Sequence, residues 1–202
     1  MGRVTEAAGP PEEDRGVQLM LALQQGREEA FAELVEEYQS AAFSMLRRVL
    51  GPHQPVEDLA QEAFLRVWRS RDSYQPRGRF TTFLYRITYN LALNQLRGNK
   101  RKPLSPMPQT ADGAVLEPED QLGAAPEAGA DGRDWAGIIE GALAQLSENQ
   151  RAALVFQHYD GLSLAEVAQV LGTSEKAVKS LLHRARTRLR ELLQPYHEAE
   201  ND

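Results

Sequence analysis

The stretch Ser163-Leu164-Ala165-Glu166-Val167-Ala168-Gln169-Val170-Leu171-Gly172-Thr173-Ser174-Glu175-Lys176-Ala177-Val178 decides the fold. Ser163 and Glu166 stand at the spacing where a hydroxyl and a carboxylate satisfy the first free amides of a helix reciprocally. Ala168 is followed four residues later by Gly172, and Gly172 six residues later by Val178. A small residue where two helices cross, a glycine to enter the turn and a branched apolar anchor for the second helix specify a helix-turn-helix, here about 164–183. Ser174 is the expected cap of its second helix. Leu164, Val167, Leu171 and Leu182 fall where that small core needs bulk. Val178, Leu182, Ala185 and Leu189 make the apolar stripe of the second helix, and Lys176, Lys179, Ser180, His183, Arg184 and Thr187 occupy the opposing face. Long donors and short hydroxyls of this kind suit base edges and phosphates in a major groove. For Arg186, Arg188 and Arg190, a solvated helix end favoured by the dipole is an equally good account.

Working outward, apolar periodicity predicts helices near 134–146, 148–159, 163–171 and 174–193. Residues 103–133 hold five prolines, four glycines and six alanines, with acidic residues and few large apolar ones. Such a segment buries too little surface to offset its ordering entropy and is expected to be a flexible linker. Upstream, Phe31, Leu34, Val35, Tyr38, Ala42, Met45, Leu46 and Val49 keep helical rhythm until Gly51-Pro52. Pro55 suits a first helical turn. Val56, Leu59, Ala60, Ala63 and Val67 then form a second stripe, with Asp58, Gln61, Glu62, Arg66 and Arg69 on the far side. Thr81 or Thr82 is the expected cap of a third helix whose stripe is Phe83 or Leu84, Ile87 and Leu91. No period-two run signals a strand. The expected class is all-α, with two small helical domains. The boundaries are a disordered 1–16, a first domain 17–102, the linker 103–133, a second domain 134–195 and a tail 196–202.

The chain has 202 residues and a net charge of −6, but the charge is segregated. The net is −5 over residues 1–70, +7 over 71–102, −5 over 103–133, zero over 134–195 and −3 in the tail. Six basic residues crowd into the 15 positions from Lys176 to Arg190. Two basic patches on an acidic body can hold phosphates while discouraging indiscriminate adhesion to nucleic acid. There is no cysteine, which excludes disulfides, thiolate nucleophiles and cysteine-bound zinc. His53, His158, His183 and His197 show no ligand pairing, and neither a phosphate-binding Gly-Lys-Ser/Thr loop nor a nucleophile elbow occurs. No enzyme, metal or cofactor is therefore expected. The first residues lack the basic start and apolar run of a secretory leader. No stretch approaches the roughly 18 apolar residues of a membrane span, so a soluble cytoplasmic protein without membrane insertion is expected.

Several runs resemble the extracytoplasmic-function (group IV) branch of the bacterial sigma factors. Ala142 through Leu154, Gly161 through Ala168, Ala177-Val178-Lys179-Ser180 and Arg184-Ala185-Arg186 are similar to its region 4. Asp58-Leu59-Ala60-Gln61-Glu62-Ala63-Phe64 resembles region 2.2. Phe80 through Ile87 to Asn90, then Arg97, resembles regions 2.3 and 2.4. The likeness covers about 28–100 and 134–193. Three departures stand out. Phe83 occupies the place of a usual Trp, Leu181 that of a usual Arg, and Lys176-Ala177 that of a common Gly-Thr. Regions 1.1 and 3 of housekeeping sigma factors have no room.

The resemblance implies a function without covalent chemistry. The chain would bring core RNA polymerase to promoter DNA and help to trap the melted strand. Asp58, Gln61, Glu62, Leu65 and Arg66 would face the coiled-coil clamp of the largest polymerase subunit, where charge-assisted hydrogen bonds fix orientation. Arg77, Arg79, Tyr85, Arg86, Tyr89, Asn90, Asn94 and Arg97 would meet the −10 element, the aromatics stacking on unpaired bases and the cations holding the backbone. Lys100, Arg101 and Lys102 would touch phosphates. Lys176, Lys179, Ser180, His183, Arg184 and Thr187 would meet the −35 element. The apolar remainder of the second domain would dock on the flap of the second-largest subunit, and an anti-sigma factor would hold the protein inactive. The acidic linker would thread the RNA-exit path, its charge mimicking RNA. The alternative is a stand-alone helix-turn-helix repressor or activator binding an operator as a dimer.

Overall fold

A computed structural model describes residues 13–51, 54–98 and 135–198. The chain divides into two compact units, with the boundary after Pro106. All regular structure among the described residues is helical. The expectations for the linker 103–133, for Lys100–Lys102, for residues 1–12, for His53 and for 199–202 fall outside the described residues.

The first unit contains α1 (Arg15–Gln24), α2 (Glu29–Leu50), α3 (Glu57–Arg69), a 3₁₀ turn (Arg71–Ser73) and α4 (Phe80–Leu96). α1 corrects the expected boundary: Arg15 and Gly16, assigned above to a disordered terminus, begin a helix, with Asp14 as its cap. Asp14 caps it by accepting the Val17 amide at 3.0 Å. Val17, Leu19, Met20, Ala22 and Leu23 are buried along it, so tertiary burial orders a segment too short to be helical alone. Gly16 sits directly against Phe80, and a Cβ there would lie 2.5 Å from the Phe80 ring. The phenol of Tyr38 meets the same junction. Its ring stands edge-on to Phe80 at 4.8 Å. Burial foremost, then the charges of Asp14 and Glu37, push its ionisation well above the ordinary tyrosine value.

α2 buries Leu34, Ala42, Met45, Leu46 and Val49 as its rhythm predicts, with Phe31, Val35 and Tyr38 at the core's edge. Gly51 ends it at φ 91°, a conformation that glycine adopts without a Cβ penalty. α3 begins at Glu57 rather than on Pro55, with Val56 at the cap position and fully buried. Its entrance is closed by the Glu57 carboxylate, which accepts the Val56 amide at 3.0 Å. Backbone donors, that of Glu57 first, and the Arg47 guanidinium hold this carboxyl below its usual range.

α4 also starts earlier than expected. Arg79 is its N-cap, with no capping bond from its side chain, and Thr81 and Thr82 lie inside the first turn. The Arg79 carbonyl accepts the Thr82 amide at 3.1 Å. Burial of Phe80, at 0% exposure, fixes the start where local capping chemistry alone favours a threonine.

The second unit contains α5 (Trp135–Ala144), α6 (Glu148–His158), α7 (Leu164–Leu171) and α8 (Glu175–Glu198). α7 opens with the expected capping box: the Ser163 amide reaches Glu166 Oε2 at 2.9 Å and the Glu166 amide reaches Ser163 Oγ at 3.3 Å. α6 opens with a second box that the sequence reading passed over, between Ser147 and Gln150. Gly172 adopts the left-handed conformation at φ 65°, and the Thr173 amide returns to the Ala168 carbonyl at 2.9 Å. Ser174 Oγ accepts the Ala177 amide at 3.2 Å, completing the turn. Val167, Ala168, Leu171, Val178, Leu182 and Ala185 are buried together with Ala152, Val155, Phe156 and Leu162 in a unit where α6, α7 and α8 pack on one another. Leu164 and Leu189 are only half-buried. α8 runs past the expected end near 193 and through Pro195 to Glu198, so the boundary at 195/196 falls inside a helix. Proline's fixed φ is compatible with a helix, but Pro195 removes one amide donor and its ring crowds the carbonyl of Glu191, so the last turn is held less firmly than the rest.

Candidate functional site

Three polar faces emerge. The first lies on α3, where Asp58, Gln61, Glu62 and Leu65 recur at helical spacing and share one side. Asp58 and Gln61 are exposed, and Leu65 keeps 48% of its surface in water. Glu62 is not a bare acid. Its Oε1 accepts Arg66 Nε at 2.9 Å and lies 3.7 Å from Arg69 Nη1. Arg66, with 16% of its side chain exposed, orients that carboxylate. The face is thus a preset pattern of acid, amide and apolar groups with its cations at one border.

The second face lies on α4 and the loop before it. Arg86 and Arg97 are exposed and Asn90 and Asn94 half-buried, so the four expected positions do share an outward side. The Arg86 guanidinium lies 5.8 Å over the Phe83 ring. Phe83 packs at the edge of the core, 5.0 Å from Tyr74. Arg77 is exposed and donates to Gln75 Oε1 at 2.9 Å, and Arg79 is half-buried.

Tyr85 and Tyr89 depart from expectation. They are 4% and 0% exposed, so their rings are packing residues of the domain interior and offer no stacking platform for bases. Tyr85 is one residue and Tyr89 three residues from Arg86 in sequence, yet the residues Leu84, Ile87, Thr88, Leu91 and Ala92 around them are buried too. That wide apolar sector takes both tyrosines inward and leaves a narrow polar strip outside.

The third face is on α8. Lys176, Lys179, Ser180, His183 and Arg184 are exposed and Thr187 half-buried, in the order the spacing predicts. Leu181, the expected lost phosphate contact, is 2% exposed; leucine here extends the core of this unit. His183, Arg184 and Thr187 also line a shallow groove of about 300 Å³ with Gln145, Gln150, Arg188 and Glu191. Gln145 and Gln150 carry no signal for this face because they precede the helix-turn-helix by 19 and 14 residues, and only folding brings them beside α8. Gln150 already serves the α6 capping box. No group of three or more His, Cys, Asp or Glu residues capable of holding a metal occurs among the described residues. None of the described helices is long and apolar enough to cross a membrane.

The family model for sigma-70 region 2 matches residues 34–102, and that for sigma-70 region 4 matches residues 136–189. The chain is 31% identical over 175 residues to the ECF RNA polymerase sigma factor SigW of Bacillus subtilis, covering 85% of this chain and 92% of that one. Among solved structures, CnrH in complex with the cytosolic domain of CnrY is similar with a TM-score of 0.63 and 25% identity, over 90% of this chain and 99% of the other. The sigma factor RpoE bound to the anti-sigma factor NepR from Bartonella quintana is similar with a TM-score of 0.59 and 26% identity, over 81% and 96%. A stand-alone repressor would leave the whole first-unit match unexplained. The two regions, in this order and on these folds, make the chain a member of the ECF branch of the sigma-70 family, transcription-initiation factors that bind RNA polymerase and direct it to promoters.

Proposed function

We propose that the three faces divide the work of initiation among themselves. The α3 face of Asp58, Gln61, Glu62, Leu65 and Arg66 docks on the clamp coiled coil of the largest polymerase subunit. Arg77, Arg79, Arg86, Asn90, Asn94 and Arg97 hold the −10 strand. Lys176, Lys179, Ser180, His183, Arg184 and Thr187 enter the −35 major groove, while apolar surface of the second unit meets the flap of the second-largest subunit. No covalent chemistry is involved. Trapping unpaired bases stabilises an open bubble because bound bases no longer re-pair. The burial of Tyr85 and Tyr89 supports giving the outward part of this task to the amide and guanidinium groups of α4, with the tyrosines shaping the helix from within. An anti-sigma factor holds the protein inactive in the cytoplasm; the complex of the similar sigma factor RpoE with the anti-sigma factor NepR supports this part of the reading.

The observation that carries the proposal is Leu65, a large apolar side chain left 48% exposed on the same helix side as Asp58, Gln61 and Glu62, with Arg66 and Arg69 at its border. An apolar centre with a polar rim is the ordinary anatomy of a docking surface. The test is pulldown of core RNA polymerase. Combined Asp58→Lys and Glu62→Lys substitutions, and separately Leu65→Ser, should each weaken capture by at least about tenfold, within the range for interface anchors. The helical signal of the variants should not change, because Asp58 and Leu65 are exposed and Glu62, though held by Arg66, lies at the helix surface outside the core. Undiminished capture by both variants overturns the assignment. Replacing Arg184 by Ala should cost about 1–3 kcal/mol of promoter affinity in a sequence-dependent manner if it reads a base, whereas a phosphate role weakens all promoters alike.

A further inference from the structure

The segment joining α3 to α4 has two halves of different character. The first half is tied down. Ser70 Oγ donates to the Val67 carbonyl at 2.8 Å and Arg71 Nη1 to the Trp68 carbonyl at 3.0 Å. The Arg71 guanidinium lies 4.6 Å over the Trp68 ring, and the buried Tyr74 ring stands edge-on to Phe83. In the second half, Gln75, Pro76 and Arg77 are exposed.

One residue from a distant element closes the first half. Gln24, at the end of α1, places its Nε2 at 3.1 Å from the Arg71 carbonyl, 3.2 Å from that of Asp72 and 3.3 Å from that of Tyr74. Three carbonyl dipoles aimed at one point repel one another unless a donor sits between them. The partners lie 47 to 50 residues away in the chain, so this is a tertiary clasp and not a local turn. Gln24 itself is exposed. The docking of α1 does not need it, because Gly16, Val17, Met20 and Leu23 supply the burial.

We propose that Gln24 is a positioning residue for promoter-strand capture: its amide fixes the carbonyls of Arg71, Asp72 and Tyr74 and thereby sets where Gln75–Arg79 are held out towards the unpaired strand. Removing the clasp frees the base of the loop, and capture must then order residues that were ordered beforehand. The inference rests on the assignment of Arg77 and Arg79 to the −10 strand.

The test uses holoenzyme reconstituted from the full chain and cognate core polymerase, with two DNA probes built on the strongest promoter found by run-off transcription. One is a fork junction with an unpaired −10 strand, the other a duplex carrying only the −35 element. Gln24→Leu should weaken fork-junction binding about fivefold, the scale of a lost hydrogen-bond cluster, and leave the −35 duplex unchanged. Gln24→Lys, which returns donors to the three carbonyls, should restore fork binding to within about twofold of wild type on the same scale. Unchanged fork binding by Gln24→Leu overturns the inference, as does equal weakening on both probes or failure of Gln24→Lys to restore. An Arg77→Ala, Arg79→Ala double variant is run alongside. If it binds the fork as wild type does, the strand assignment itself has failed, whatever Gln24 does.

Discussion

The two units reach similar helical architectures by opposite routes. In the second unit, helix starts are set by side chains within a few positions of the amides they serve: Ser147 with Gln150, Ser163 with Glu166, Ser174 with Ala177. Its central turn is fixed by a single left-handed glycine. In the first unit, neither α2, α3 nor α4 has a side chain of its N-cap residue bonded to its first turn. Asp14 does cap α1 and the Glu57 carboxylate closes the start of α3, but α2 and α4 are located by aromatic and aliphatic packing from far along the chain, with Phe80 set between Gly16 and Tyr38. The unit assigned to the melted strand is thus specified by tertiary fit, and the unit assigned to intact duplex by local chemistry.

This contrast can be broken, most forcefully at Phe80. Phe80→Ala should destabilise the first unit by about 3–5 kcal/mol, the usual loss for a fully buried aromatic. Urea unfolding followed separately for each unit should show the first transition moving and the second holding. Equal movement of both would mean that the units are not independent. A smaller effect of the opposite geometry is expected at Gly16. Gly16→Ala forces a methyl group onto the Phe80 ring and should cost about 1–3 kcal/mol in the same transition. A neutral result there would show that α1 can slide without consequence. The smallest effect belongs to the second unit. Ser163→Ala should cost about 1 kcal/mol, confined to the second transition, and a double variant with Glu166→Ala should lose less than the sum because the two residues share one box.

What could be read in advance follows the same division. The helix-turn-helix was legible from Ala168, Gly172, Ser174 and Val178 because every one of its constraints lies within 11 residues. The exposed strip Arg86, Asn90, Asn94 and Arg97 was legible from helical spacing alone. α1 was not, although Asp14 ahead of Val17, Met20 and Leu23 is a fair helix signal. The proline-rich acidic lead before it drew the reading towards disorder, and the complement of Gly16, the Phe80 ring, lies 64 positions away. The fate of Tyr85 and Tyr89 was equally hidden. A helix buried over most of its circumference blurs the apolar stripe on which orientation is judged. The Glu62–Arg66 pair was open to inference from its i, i+4 spacing, and Gln24 was not, since three carbonyls carry no signature in a sequence.

The placement of the indole rings has a practical corollary. The chain has two tryptophans, Trp68 in the first unit and Trp135 at the start of α5 in the second. Trp68 lies 5.0 Å from the Phe31 ring and under the Arg71 guanidinium, at the foot of the clasped segment. Replacing Trp135 by Phe would therefore leave a single indole, excited apart from the tyrosines at the red edge of absorption, whose emission senses that foot directly. With it, the arrival of an unpaired DNA strand could be timed optically, without attaching a dye to either molecule.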